Sequence, residues 1–83
     1  MDKYSPLLLG TISNFLSNHL VKYVPKLFTS IECIEREEDV LFLVRVPRRH
    51  VSQVKRRVTN WPYFRSKHYE NIKFEVRAFP GIE

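Results

Sequence analysis

Apolar residues in the first quarter of the chain recur at steps of three and four: Leu8, Ile12, Phe15, Leu16, Leu20 and Tyr23. That spacing predicts a helix over 6–23. Ser5 can cap its first turn, and Pro6 suits a position whose N–H has no helical partner. Pro25 ends it by pushing residue 24 toward extended backbone. The spacing then changes to two. In "KLFTSIECIE", 26–35, Leu27, Thr29, Ile31 and Cys33 share one face of a predicted strand. "REED" supplies a polar connection without glycine, which favours a four- or five-residue hairpin loop over a two-residue one. "VLFLVRV", 40–46, is almost continuously apolar, as in the central strand of a small sheet.

Pro47 closes that strand. Residues 48–60 read as a second helix, and 61–70, "WPYFRSKHYE", as a loop interrupted by Pro62. In the final segment, "NIKFEVRAF", Ile72, Phe74, Val76 and Ala78 alternate with Lys73, Glu75 and Arg77, the signature of a half-exposed strand. The order α-β-β-α-β predicts an α+β fold: one two-layer domain over 1–83, with two helices on one face of a mostly antiparallel three-stranded sheet. For so short a chain the expected stability is roughly 4–12 kcal/mol.

Charge changes the picture. The net charge of +5 is unevenly placed: residues 1–39 hold four basic and six acidic side chains, whereas 40–83 hold ten basic and three acidic. Between 48 and 69 there is no acid. On a wheel of 100° per residue, Val51, Val54, Val58 and Trp61 of the second helix form a stripe about 80° wide, enough to dock on a sheet. Arg49, Gln53, Arg56 and Asn60 lie opposite. Arg48 and Lys55 flank one side, His50 and Arg57 the other. Like charges three or four residues apart cost a few tenths of a kcal/mol per pair. Arg48 and Arg49 also sit at the helix's positive end, where acids are preferred. The structural alternative is a solvated face whose cations pair with acids elsewhere, "EREED" at 35–39 being the candidate.

The functional expectation is a polyanion-binding surface. Arg65 and Lys67 continue the basic run, and Tyr63 and Tyr69 stand among them. Cations that follow phosphates and rings that stack on bases are the chemistry of single-stranded nucleic-acid binding. The site expected is therefore Arg48, Arg49, Lys55, Arg56, Arg57, Arg65 and Lys67 on phosphates, with Gln53 and Asn60 on base edges or sugar hydroxyls. Tyr63 and Tyr69 are the stacking rings, while Trp61 and Phe64 close the core. The partner is single-stranded or structured nucleic acid. The same face also suits an adaptor or inhibitor that binds an acidic protein. A small basic ribonuclease, using His50, Arg57, His68 and Tyr69, is a third reading.

Other chemistry finds little support. Glycines 10 and 81 cannot build a phosphate loop. His19, His50 and His68 are far apart, and the acids lack calcium-loop spacing, so no metal or other cofactor is expected. Neither a glycine-aromatic RNA-recognition signature nor a helix-turn-helix junction is present. Cys33 is alone, which precludes an intramolecular disulfide; it is expected to be a buried, inert thiol. No secretory leader or run of about 18 apolar residues is read, giving a cytoplasmic, non-membrane expectation. The polar side of the first helix, Thr11, Ser13, Asn14, Ser17 and Asn18, lacks the lysines of a membrane-surface helix, leaving core packing or a homodimer seam.

Overall fold

The computed structural model describes residues 4–61 and 70–80. Two helices and three strands follow in the order α1 (Pro6–Leu20), β1 (Ser30–Glu35), β2 (Val40–Val46), α2 (Val51–Thr59) and β3 (Ile72–Ala78). This is the α+β class that the periodicities predict. The strand order is β1-β2-β3, so the apolar segment 40–46 is central.

α1 begins as expected. Ser5 Oγ accepts from the Leu8 N–H at 3.1 Å, and Pro6 occupies the first turn. Its end falls three residues short of the expected one. The Tyr23 and Val24 N–H groups both donate to the Leu20 carbonyl, closing a tight turn that leaves Val24 fully buried. Pro25 disfavours helical geometry at Val24, and the turn satisfies the freed groups.

The strand expected over 26–35 is shorter as well. Residues Lys26–Phe28 form one turn of 3₁₀ helix, with the Phe28 N–H donating to the Pro25 carbonyl. Leu27 is therefore 87% exposed instead of sharing a strand face with Ile31. Pro25 supplies a preset φ suited to opening a turn. Cys33, expected to be buried, is exposed. It stands on the same sheet face as its fully buried neighbour Phe42, but in an edge strand.

Residues 36–39 connect β1 to β2. Arg36 donates both backbone N–H, to the Asp39 carbonyl at 2.9 Å, and guanidinium, to the Asp39 carboxylate at 2.5 and 2.7 Å. β1 and β2 are antiparallel, whereas β2 and β3 are parallel, so the sheet is mixed rather than mostly antiparallel. The reason is the helix between them. A strand that leaves one end of a sheet and returns through a helix re-enters in its original direction.

The core is one cluster. Leu9, Ile12, Leu16 and Leu20 of α1 and Val54 and Val58 of α2 meet Val40, Phe42, Val44 and Val46 of β2 and Ile72 and Val76 of β3. Phe42 and Phe74 stack at 5.5 Å between ring centroids. On the opposite sheet face Leu43 is also buried, beside Glu32 and Glu75 in the adjoining strands.

Candidate nucleic-acid interface

The basic helix carries most of the expected site residues that the structure describes. A 3₁₀ turn, Arg48–His50, follows Pro47 and leads into α2. Val54 is fully buried, Val58 and Trp61 are 2% and 7% exposed, and Val51 packs at the margin of the core. Arg48, Arg49, Gln53, Lys55, Arg56, Arg57 and Asn60 are all exposed. The thin apolar stripe thus fixes the helix to the sheet, and the cations occupy its outward surface.

The two flanks differ. On one, the Arg57 guanidinium lies 4.6 Å from the centre of the Tyr23 ring, a cation–π contact with the turn after α1. On the other, Lys55 and Thr59 border a groove of about 420 Å³, facing Phe74, Val76 and Arg77 of β3. A shallower depression of about 450 Å³ is lined by Ser52, Lys55, Arg56, Thr59 and Asn60. Serine, threonine and asparagine hydroxyl or amide groups there stand beside two cations, the mixture that phosphate and sugar oxygens require.

Part of the outward face lacks acidic partners among the described residues. Among the described residues, no carboxylate is within ion-pair distance of Arg49, Lys55, Arg56 or Arg57. The acid-rich loop at 36–39 uses Asp39 on its own Arg36, which holds the Asp39 carboxyl below the usual range through that hydrogen bond. Glu75 pairs with Arg77 in its own strand at 2.8 Å. The Arg49 Nε donates to His50 Nε2 at 3.3 Å, so that imidazole is engaged by its neighbour.

Behind the face lies an aromatic cluster that the pattern of charges did not disclose. His19 stacks on Trp61 with centroids 5.9 Å apart and meets Tyr23 edge-on, also at 5.9 Å. Its Nε2 is buried without a hydrogen-bond partner among the described residues. Burial and the nearby positive charges of Lys22 and Arg57 lower its pKa, against an opposing hydrogen bond with the Arg57 backbone. Tyr23 and Arg77 are among the contributors that sequence reasoning left out, with Ser52 and Thr59 of α2 itself. Tyr23 falls at the end of a helical pattern and Arg77 in a strand, so only the packing of α2 brings them to it.

Tyr63, Arg65, Lys67 and Tyr69, with His68, lie outside the described residues. For Cys33, partial desolvation in its strand and the nearby Glu35 raise the thiol pKa, which makes it a poor nucleophile. Among the described residues no three histidine, cysteine or carboxylate groups gather as metal ligands. No helix among them is long and apolar enough to cross a membrane. Comparison with protein-family models, with curated proteins and with solved structures finds no match.

Proposed function

We propose that this chain is a non-catalytic module that binds phosphate-rich, single-stranded or structured nucleic acid through α2 and the segment that follows it. The observation that carries this reading is the exposed row Arg49, Lys55, Arg56 and Arg57, anchored by buried valines and unmatched by acids of the described chain. Arg48, Arg65 and Lys67 extend the phosphate contacts. Gln53 and Asn60 reach sugar hydroxyls or base edges, and Tyr63 and Tyr69 supply stacking. A surface of this kind draws most of its affinity from counterion release and is strongly salt-dependent.

Fluorescence anisotropy with labelled single-stranded and duplex oligonucleotides tests the reading. With about four phosphates engaged, log K should fall against log salt with a slope of roughly −3 to −4. The Arg49→Ala/Arg56→Ala double variant should lose affinity for all sequences alike, and the slope should shrink by about 1.5. Circular dichroism of that variant should match the parent, because both side chains are exposed. Absence of binding to either oligonucleotide at about 0.1 M salt, a concentration at which the Debye length is still near 10 Å, would reject it in favour of an acidic protein partner.

A further inference from the structure

The turn that joins α1 to β1 carries two features that the basic helix does not use. One is apolar. Leu27 is 87% exposed, and Val21 and Phe28 are each 49% exposed. Backbone hydrogen bonds fix the turn: the Val21 N–H donates to the Ser17 carbonyl, the Phe28 N–H to the Pro25 carbonyl and the Thr29 N–H to the Lys26 carbonyl. The tip is therefore a formed 3₁₀ turn that holds Leu27 out in solvent. Single exposed apolar side chains are ordinary on a surface, but several on one short turn make a patch.

The other feature is polar. A groove of about 240 Å³ is lined by Ser13, Asn14 and Ser17 of α1 and by Lys26, Thr29 and Ile31. Val21 lies one helical turn beyond Ser17 on the same flank, and Lys26 precedes Leu27, so groove and tip adjoin. The Thr29 hydroxyl donates to the Pro25 carbonyl at 3.2 Å. Among the described residues, the side chains of Ser13, Asn14, Ser17 and Lys26 have no hydrogen-bond or ion-pair partner. Neutral donors around one ammonium, with no carboxylate in the lining, suit the oxygens of a phosphate ester.

The surrounding charge has one sign. From residue 3 to residue 31 the sequence holds no acid. Lys22 and Lys26 are exposed, and Arg57, laid over the Tyr23 ring, brings one flank of the basic helix alongside. Glu32, the first acid after the turn, alternates to the sheet face opposite Ile31 and the groove. Three apolar side chains cover far less than the roughly 800 Å² per partner that a stable protein interface buries. At a lipid surface so small a tip is enough, because inserted apolar side chains act together with attraction of lysine and arginine to anionic headgroups.

We propose that this turn binds the surface of an anionic phospholipid bilayer, with Val21, Leu27 and Phe28 entering the interface and a headgroup phosphate seated in the groove beside Lys26. The contact needs no spanning helix. The lysine that α1 lacks on its polar side is supplied by Lys26, from the turn beyond it. This inference does not rest on nucleic-acid binding.

Co-sedimentation of the full chain with vesicles tests it, using phosphatidylcholine alone and phosphatidylcholine with about 30% phosphatidylserine, at about 0.1 M salt. Binding should be about tenfold or more tighter to the anionic vesicles. Leu27→Ser/Phe28→Ser, which leaves the charge unchanged, should weaken it about tenfold. Lys26→Gln and Ser17→Asp should each weaken it about fivefold, the effect of one charge at an anionic surface. Circular dichroism checks that each variant is folded. Leu27→Ser/Phe28→Ser should bind oligonucleotides as the parent does, so this reading and the nucleic-acid reading stand or fall separately. Replacing chloride by inorganic phosphate at constant ionic strength should leave vesicle binding nearly intact, since a free ion lacks the apolar half of the contact. Displacement by phosphate would assign the groove to a free anion. Vesicle binding that survives Leu27→Ser/Phe28→Ser would mean that charge alone holds the protein. Absence of binding to the anionic vesicles would leave the tip to a protein partner. Any of these three results overturns the proposal.

Discussion

Val54 decides how the basic helix is held. It is fully buried between α2 and the sheet, with Arg56 and Arg57 close by on the outward side. Val54→Asp would bring a carboxylate into that core with no partner. Burial of an unpaired charge costs several kcal/mol, comparable with the whole expected stability, so the variant should be largely unfolded at 25 °C by circular dichroism. His19 makes a second prediction. Its folded pKa lies below the ordinary 6.5 because of burial, with Lys22 and Arg57 adding to the effect. The unfolded chain therefore takes up the proton first. The neutral ring's contribution is complete above about pH 6.5 and is lost as pH falls through the folded pKa. Thermal midpoints between about pH 8 and 5 should decline toward acid more steeply in the parent than in His19→Phe, which keeps a ring against Trp61 and does not titrate. The valines were legible from spacing alone; His19 was not, because its surroundings come from Trp61 and Arg57, about forty residues away in sequence.

Helix α1 illustrates how far local rules reach. Its start follows from Ser5 and Pro6, and its buried face from Leu9, Ile12, Leu16 and Leu20. Gly10 interrupts this helix on an exposed side, where an added Cβ would meet nothing within 4 Å. Gly10→Ala should therefore stabilise the protein by about 0.5–1 kcal/mol through reduced backbone freedom of the unfolded chain. For a chain this size that is a rise in melting temperature of roughly 2–8 °C, measurable by calorimetry. The ends of elements were less legible. The 3₁₀ turn at Lys26–Phe28 replaced the expected start of β1, because Pro25 biases a turn where side-chain alternation still reads as a strand. In α2, by contrast, pattern and packing agree: every sequence-derived outward position from Arg49 to Asn60 is exposed, apart from the half-buried His50.

The assembled domain has a gradient of protection. Among the described residues β2 is bonded to a strand on both sides and holds four of the core side chains, whereas β1 and β3 are each bonded to one strand. Hydrogen exchange should be slowest for amides of Val40–Val46 and faster for those of Ile31, Cys33 and Glu35, which alternate away from β2, since exchange follows the stability of the local unit. Equal protection across the three strands would contradict that order. What could be read in the residues was whatever depends on near neighbours. Alternation and helical spacing give the five elements, the valine stripe marks the inward side of α2, and the absence of acids from 48 to 69 gives its sign. What required the folded molecule was whatever depends on contacts distant in sequence. The parallel β2–β3 pairing, the exposure of Cys33 and the ring of Tyr23 beneath Arg57 all arise from how elements are placed beside one another. A stretch of chain fixes which of its faces is apolar, but the neighbour that covers that face, or leaves it open, is set by topology.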